Sequence, residues 1–258
     1  MEIKNILDEL KILNVRSIEL TGGEPLLRED LNDIIKYAKI LRFQVKILTN
    51  GSLLNRNILE NFKRIGVDKI AISMDGVRYP LYKKTRPVKK AVFSKVINNI
   101  KLAGSFGIFV KINSVIVKSN IGCMQEIIDF CESNNINELR FCYFTKKGRG
   151  SQLDESVPPR LWMKEIKKLE SKKIPVYFGY SFAPMARGCL LKNIFPLYIS
   201  GNGDVFLCPM LGPMGNIREE KLNDIINRGW DKKSCLGSKK EGGLKPTCPL
   251  RKYNIKQI

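Results

Sequence analysis

The chain has 258 residues, 43% hydrophobic and 27% charged, which is the composition of a folded protein able to bury a core without disulfide or metal staples. It contains no histidine, which excludes Ser-His-Asp triads, Cys-His nucleophiles and every histidine-ligated metal. The formal net charge is +20, from 45 Lys and Arg against 25 Asp and Glu; the basic residues are spread along the chain, as on a lysine-rich surface, rather than gathered in one block.

Residues 1–13 put Ile3, Ile6, Leu7, Leu10 and Leu13 on one helical face. Ser17–Leu20 follows as a short strand ending in Thr21-Gly22-Gly23-Glu24-Pro25. Leu31–Leu41 reads as a helix with Leu31, Ile34, Ile35 and Ala38 inward, and Val45–Leu48 as a strand stopped by Thr49-Asn50-Gly51. Residues 55–65 repeat the helical spacing with Ile58, Leu59, Phe62 and Ile65. The unit recurs: strand Lys69–Met74 stopped by Asp75-Gly76, helix Phe93–Ala103, strand Phe109–Val117 with Asn113 inside it, helix Cys123–Ser133 and strand Glu138–Phe144. Lys146–Gly150 is a basic, Gly-containing loop. Five strands alternating with amphipathic helices predict an α/β fold with a parallel sheet and right-handed crossovers. Function then belongs at the C-terminal ends of the strands.

The texture changes after Gly150. Ser151–Pro159 is polar and contains Pro158-Pro159, which marks a linker or domain edge. A helix over about 160–171 and an extended Val176-Tyr177-Phe178 follow. Leu197-Tyr198-Ile199 and Val205-Phe206-Leu207 flank Ser200–Asp204, a hairpin signal, and Leu222–Ile226 reads as a short helix. The expected organisation is a barrel-like domain over 1–159, a connecting helix and strand over 160–187, and a small α+β subdomain over 188–258.

Two patterns carry chemistry. Gly22-Gly23-Glu24-Pro25 lies between a strand and a helix. Its glycines let backbone approach a ligand closely, and the turn offers acceptors that suit an ammonium or a ribose better than a phosphate. A tight turn with a solvated Glu24 is the alternative. In the last quarter, Cys189, Cys208, Cys235 and Cys248 supply four thiolates in a chain without histidine, suited to zinc or to an iron–sulfur cube. Structural zinc usually brings ligands in close pairs, whereas these four are far apart, which favours a cluster held by a folded subdomain. Cys123, Cys131 and Cys142 have no paired spacing and read as core thiols.

Three successive strand ends carry Gly-Gly-Glu-Pro, Thr-Asn-Gly and Ser-Met-Asp-Gly. Together they resemble the radical S-adenosylmethionine (radical SAM) enzymes. The resemblance implies that Gly22, Gly23, Glu24 and Pro25 hold the methionyl amino group of SAM. It also implies that Ser73 contacts the methionyl or ribose part, with Asp75 and Asn113 near comparable positions. The tail, with Gly188-Cys189, the Gly201–Asp204 turn leading to Cys208-Pro209, Gly215–Glu219 and then Cys235 and Cys248, is similar to the SPASM and twitch domains that bind auxiliary clusters. Four cysteines correspond to a one-cluster, twitch-like version. The implied fold is a partial (β/α)₆ radical SAM-type barrel with a small C-terminal twitch/SPASM-like subdomain.

The implied reaction starts when a reduced [4Fe–4S] cluster donates an electron to the sulfonium of SAM. A 5′-deoxyadenosyl radical then abstracts a substrate hydrogen, the substrate being a peptide or a cofactor precursor and the electron donor a ferredoxin or flavodoxin. One departure stands out. The family's C-x₃-C-x₂-C loop lies upstream of the GGEP motif, whereas the first cysteine here is Cys123. The expectation is therefore a chain lacking the first barrel strand, with a second [4Fe–4S] cluster only in a longer chain and no SAM cleavage by these residues alone. A non-catalytic basic scaffold binding RNA or peptide is the rival reading, supported by the net charge and by Lys146–Gly150. No apolar run approaches the roughly 18 residues of a membrane span and no secretory signal opens the chain, so a cytoplasmic location without membrane contact is expected.

Overall fold

Six parallel strands, one more than the sequence pattern shows, run side by side in chain order in a computed structural model whose described residues are 2–144, 154–179, 197–206 and 212–229. They are β1 (Ser17–Leu20), β2 (Gln44–Thr49), β3 (Lys69–Ser73), β4 (Phe109–Ile116), β5 (Glu138–Tyr143) and β6 (Val176–Gly179). The sixth strand is the extended segment expected in a connector. It pairs with β5 from Leu139↔Val176 to Cys142↔Gly179. Its four residues are too few to show a period. Among the described residues nothing pairs β1 with β6, so the sheet stays open.

The connecting helices are α1 (Glu2–Ile12), α2 (Leu31–Ile40), α3 (Arg56–Ile65), α4 (Tyr79–Thr85), α5 (Lys90–Gly104), α6 (Met124–Ser133) and α7 (Pro159–Ile166). The sequence pattern omitted α4, because Pro80 reads as a breaker. Proline is tolerated in the first turn, where its missing N–H has no helical partner. Tyr82 of α4 is buried against Phe93 of α5 at 5.0 Å between ring centroids.

Sequential strand order with right-handed crossovers puts all these helices on one face. Alternation along the strands follows: Val45, Ile47, Ile70, Ile72, Val110 and Ile112 are fully buried beneath helical Ile35, Leu59 and Ile100. The other face carries Lys46, Lys69, Ser73, Lys111, Asn113, Glu138 and Arg140 by the same period. Near the N-terminal ends of the strands on that face, Glu138 accepts Lys111 Nζ at 2.7 Å and Lys69 Nζ at 2.9 Å. Burial acts most strongly on Glu138 and raises its pKa, but the hydrogen bonds from Lys111 and Lys69 outweigh it and hold the carboxyl below the usual range.

The chain divides into two compact units, Met1–Met185 and Ala186–Ile258. The second contains an antiparallel sheet of β7 (Tyr198–Ile199), β8 (Asp204–Phe206) and β9 (Gly215–Asn216), followed by α8 (Leu222–Gly229). The expected hairpin is present, with Ile199↔Val205 paired. Its turn needs Gly203, at φ +88°, where a Cβ would fall 2.6 Å from Asn216 Oδ1. Asn216 Nδ2 in turn donates to Asn202 O and to Asp204 Oδ1, tying β9 to the turn. Cys189, Cys208, Cys235 and Cys248, with the Lys146–Gly150 loop, lie outside the described residues.

Candidate cofactor-binding site

At the end of β1 the backbone turns through Gly22 and Gly23, both exposed. A Cβ added to either meets nothing within 4 Å. Gly22 has φ +139°, a conformation that suits glycine, while Gly23 does not. The turn is therefore an open stretch of backbone, and the buried Pro25 begins a short 3-10 helix that fixes its exit.

Glu24 points sideways, toward the next strand. Its Oε1 accepts the Thr49 hydroxyl at 2.6 Å and the Leu26 amide at 3.2 Å, and its Oε2 accepts the Asn50 amide at 2.8 Å. Three of the roughly four acceptor positions of a carboxylate are thus used internally. The expected ammonium partner is in this structure first a brace between the ends of β1 and β2. The brace continues: Thr49 Oγ1 accepts Gly51 N at 3.1 Å, and the buried Asn99 of α5 donates to Gly51 O at 2.8 Å. Gly51, at φ +79°, has Ile72 Cγ2 only 2.8 Å from the position of a Cβ.

A second brace joins β3 to β4. Asp75 is buried, and its Oδ1 accepts the Val115 amide at 2.8 Å while its Oδ2 lies 2.8 Å from Arg86 Nε. Asn120 Nδ2 donates to Asp75 O and Val115 O, both at 2.9 Å, and its Oδ1 accepts Val117 N. The ligand contact that the resemblance implies for Asp75 falls on a carboxylate whose two oxygens already have internal partners.

Ser73 and Asn113 are paired in register on β3 and β4, with Arg140 of β5 next in the same row. One residue beyond the Thr49↔Ile72 pair, Asn50 falls beside Ser73. All four are half-buried. The Asn113 Oδ1 atom is buried with no hydrogen-bond partner among the described residues, an acceptor that a bound donor would satisfy. An open glycine turn and a row of hydroxyl, amide and guanidinium groups at the functional ends of the strands fit the polar methionyl and ribose parts of SAM.

Asn99, Asn120 and Arg86 were not anticipated. The sequence signal for Asn99 was an amide on the buried face of an apolar helix. Of the three cysteines assigned to the core, Cys131 and Cys142 are fully buried, and burial pushes the Cys142 thiol up to about 12. Cys123 is a correction: it is half-buried, and its sulfur accepts Arg78 Nη2 at 3.2 Å because it ends a surface turn rather than entering the helix face.

The family model of the radical SAM superfamily matches residues 1–131. The chain is 26% identical over 252 residues to an AdoMet-dependent heme synthase of Methanosarcina barkeri, covering 87% of this chain and 72% of the synthase. A probable GTP 3′,8-cyclase of Sulfolobus acidocaldarius is 34% identical over 140 residues, 54% of this chain and 44% of the cyclase. The fold is shared with the crystal structure of Streptococcus suis SuiB bound to S-adenosylmethionine, at TM-score 0.71 and 18% identity over 92% of this chain. This chain spans 62% of SuiB and less than half of the cyclase.

Proposed function

The chain belongs to the radical SAM superfamily, and from that premise we propose that it binds SAM at the Gly22–Pro25 turn and serves the radical modification of a cofactor precursor or peptide. The open glycine turn, braced by Glu24 against Thr49 and Asn50, is the observation that carries this reading. SAM beside a reduced iron–sulfur cluster supplies a carbon radical, and that chemistry belongs to the cofactor. The chain's own residues bind and orient. The backbone of Gly22 and Gly23 receives the methionyl ammonium. Ser73 and Asn113 meet polar groups of the same ligand, and Glu24 and Asp75 keep the strand ends from drifting apart. Similarity to a heme synthase along most of the chain supports the cofactor-precursor side of the pair.

No C-x₃-C-x₂-C occurs within these 258 residues, so in this reading three thiolates from outside them hold the cluster next to SAM, and these residues alone do not cleave it. Cys189, Cys208, Cys235 and Cys248 hold one auxiliary [4Fe–4S] cluster in a twitch-like tail. The support is a four-thiolate donor set without histidine and the β7–β8 hairpin.

Equilibrium binding of SAM to anaerobically reconstituted protein tests the turn. Gly23→Val is expected to weaken SAM by at least about tenfold, because a branched side chain fills the approach, while leaving the melting temperature unchanged. Equal affinity would remove the assignment. Iron analysis tests the tail: about four irons per chain, lost in Cys208→Ala, are expected, and tightly held zinc defeats it.

A further inference from the structure

From Gly76 to Gln125 the chain carries no carboxylate, and ten of these 50 residues are Lys or Arg. At the chain's average density about five Asp or Glu would fall in a stretch this long. Some surface cations elsewhere have a carboxylate close by in sequence or space: Arg28 pairs with Asp30, Lys39 with Asp68, Lys168 with Glu165 and Arg228 with Glu220. Here the two bordering carboxylates are already committed, Asp75 to Arg86 and Glu126 to Arg78. Lys83 and Lys84 of α4, with Lys89 and Lys90 at the start of α5, are exposed, and no ion pair among the described residues reaches them.

The position of this cluster matters. Asn99 of α5 touches Gly51 at the C-terminal end of β2. Lys90 lies nine residues earlier on the same helix, about 13 Å further along its axis at 1.5 Å per residue. The first turns of α5 therefore project beyond the strand ends, at the end of the sheet where the Gly22–Pro25 turn lies. Lys89 and Lys90 also occupy a helix N-terminus, where the dipole favours anions. The sequence keeps cations there against that local preference.

We propose that Lys83, Lys84, Lys89 and Lys90 form the docking surface for a small acidic electron-transfer protein of the ferredoxin or flavodoxin class. The proposal rests on the radical reading above, since a reaction begun by reduction draws an electron from outside the protein. Unpaired point charges on flexible stems suit a transient, electrostatically steered encounter. Nucleic-acid surfaces commonly add arginine forks and stacked aromatics to their lysines. The arginines here are paired, Tyr82 and Phe93 are buried, and the half-buried Tyr79 is engaged internally, its ring against Phe93 and its hydroxyl donating to Val88 O.

Surface plasmon resonance of the full chain with a purified flavodoxin and a purified ferredoxin tests this. Binding at about 50 mM salt that weakens at least tenfold at about 300 mM is expected. Reversal of all four lysines to Glu is expected to weaken it at least about tenfold. A matched reversal of the exposed Lys164, Lys167, Lys172 and Lys173, on α7 and the turn before β6, is expected to change it less than about twofold. If the Glu set does not fold by circular dichroism, the four Lys→Gln changes replace it with the same expectation in reduced degree. Equal loss in both sets overturns the proposal, as does no binding by either carrier. Tighter binding of a roughly 20-nucleotide RNA, lost with the four lysines, overturns it in favour of nucleic acid. SAM affinity measured on the same variants separates the two readings: docking lost with SAM affinity unchanged concerns this surface alone, and docking retained while Gly23→Val leaves SAM affinity unchanged removes the SAM site and not the surface.

Discussion

Glu24 accepts the hydroxyl of Thr49 at 2.6 Å across a separation of 25 residues. With the Asn50 amide on the second oxygen, one carboxylate locks two adjacent strand ends. Each bond to a charged acceptor is worth about 1.5–3 kcal/mol. Thr49→Val keeps the shape but removes both the donor to Glu24 and the acceptor of the Gly51 amide, so urea unfolding should show a loss of about 2–3 kcal/mol. Glu24→Ala should cost more, and amide exchange at Asn50 should accelerate in both. Protection at Asn50 unchanged in Glu24→Ala would show that the brace is not the main restraint.

Two glycines should respond differently to the same substitution. Gly51→Ala places a Cβ 2.8 Å from Ile72 Cγ2 at a positive φ, and a loss of about 1–3 kcal/mol is expected. Gly23→Ala meets open space, so stability should stay within about 0.5 kcal/mol. Thermal melts of the pair distinguish a glycine kept for folding from one kept for a ligand.

The Lys69–Glu138–Lys111 group predicts a pH dependence. Its carboxyl is held below the usual range, since the two lysine hydrogen bonds outweigh burial. The unfolded chain then takes up the proton first as pH falls. Stabilisation is complete above the ordinary glutamate pKa and disappears as pH drops through the lower folded value. Glu138→Gln should cost on the order of 3 kcal/mol at pH about 7, leaving two cations without their shared partner. Urea midpoints of the two proteins should converge on acidification, and a constant gap down to pH about 3 contradicts this.

The buried Asp75 pairs with the half-buried Arg86, and breaking one side should be worse than removing both. Asp75→Asn is expected to cost about 3 kcal/mol, with the Asp75→Asn, Arg86→Met double change recovering at least about 1 kcal/mol. Simple additivity in the double-mutant cycle would deny the coupling.

The open turn was legible in the sequence because Gly22 and Gly23 state a backbone requirement directly. The strands were legible through Val45, Ile70 and Ile112, whose apolar runs can only be buried. What Glu24 does was not, because a carboxylate's partner depends on which strand lies beside it, and Thr49 becomes a neighbour only through the parallel register. Likewise the guanidinium of Arg86 reads as one more surface cation until Asp75 is seen beneath it. Helix α4 was hidden by Pro80 and β6 by its shortness, cases where tertiary contacts rather than local preference decide the conformation.

The loop ends of this sheet are held by their neighbours: the turn after β1 by the start of the turn after β2, that turn by Asn99 of α5, and the end of β3 by Asn120 beyond β4. Such loops cannot be exchanged one at a time. A chimera that imports a single strand-end loop from a relative inherits half of each handshake and should lose expression yield, whereas adjacent loops transplanted as pairs should survive. For this scaffold the heritable module is the pair of strand ends, and diversification of substrate range must proceed in steps of two.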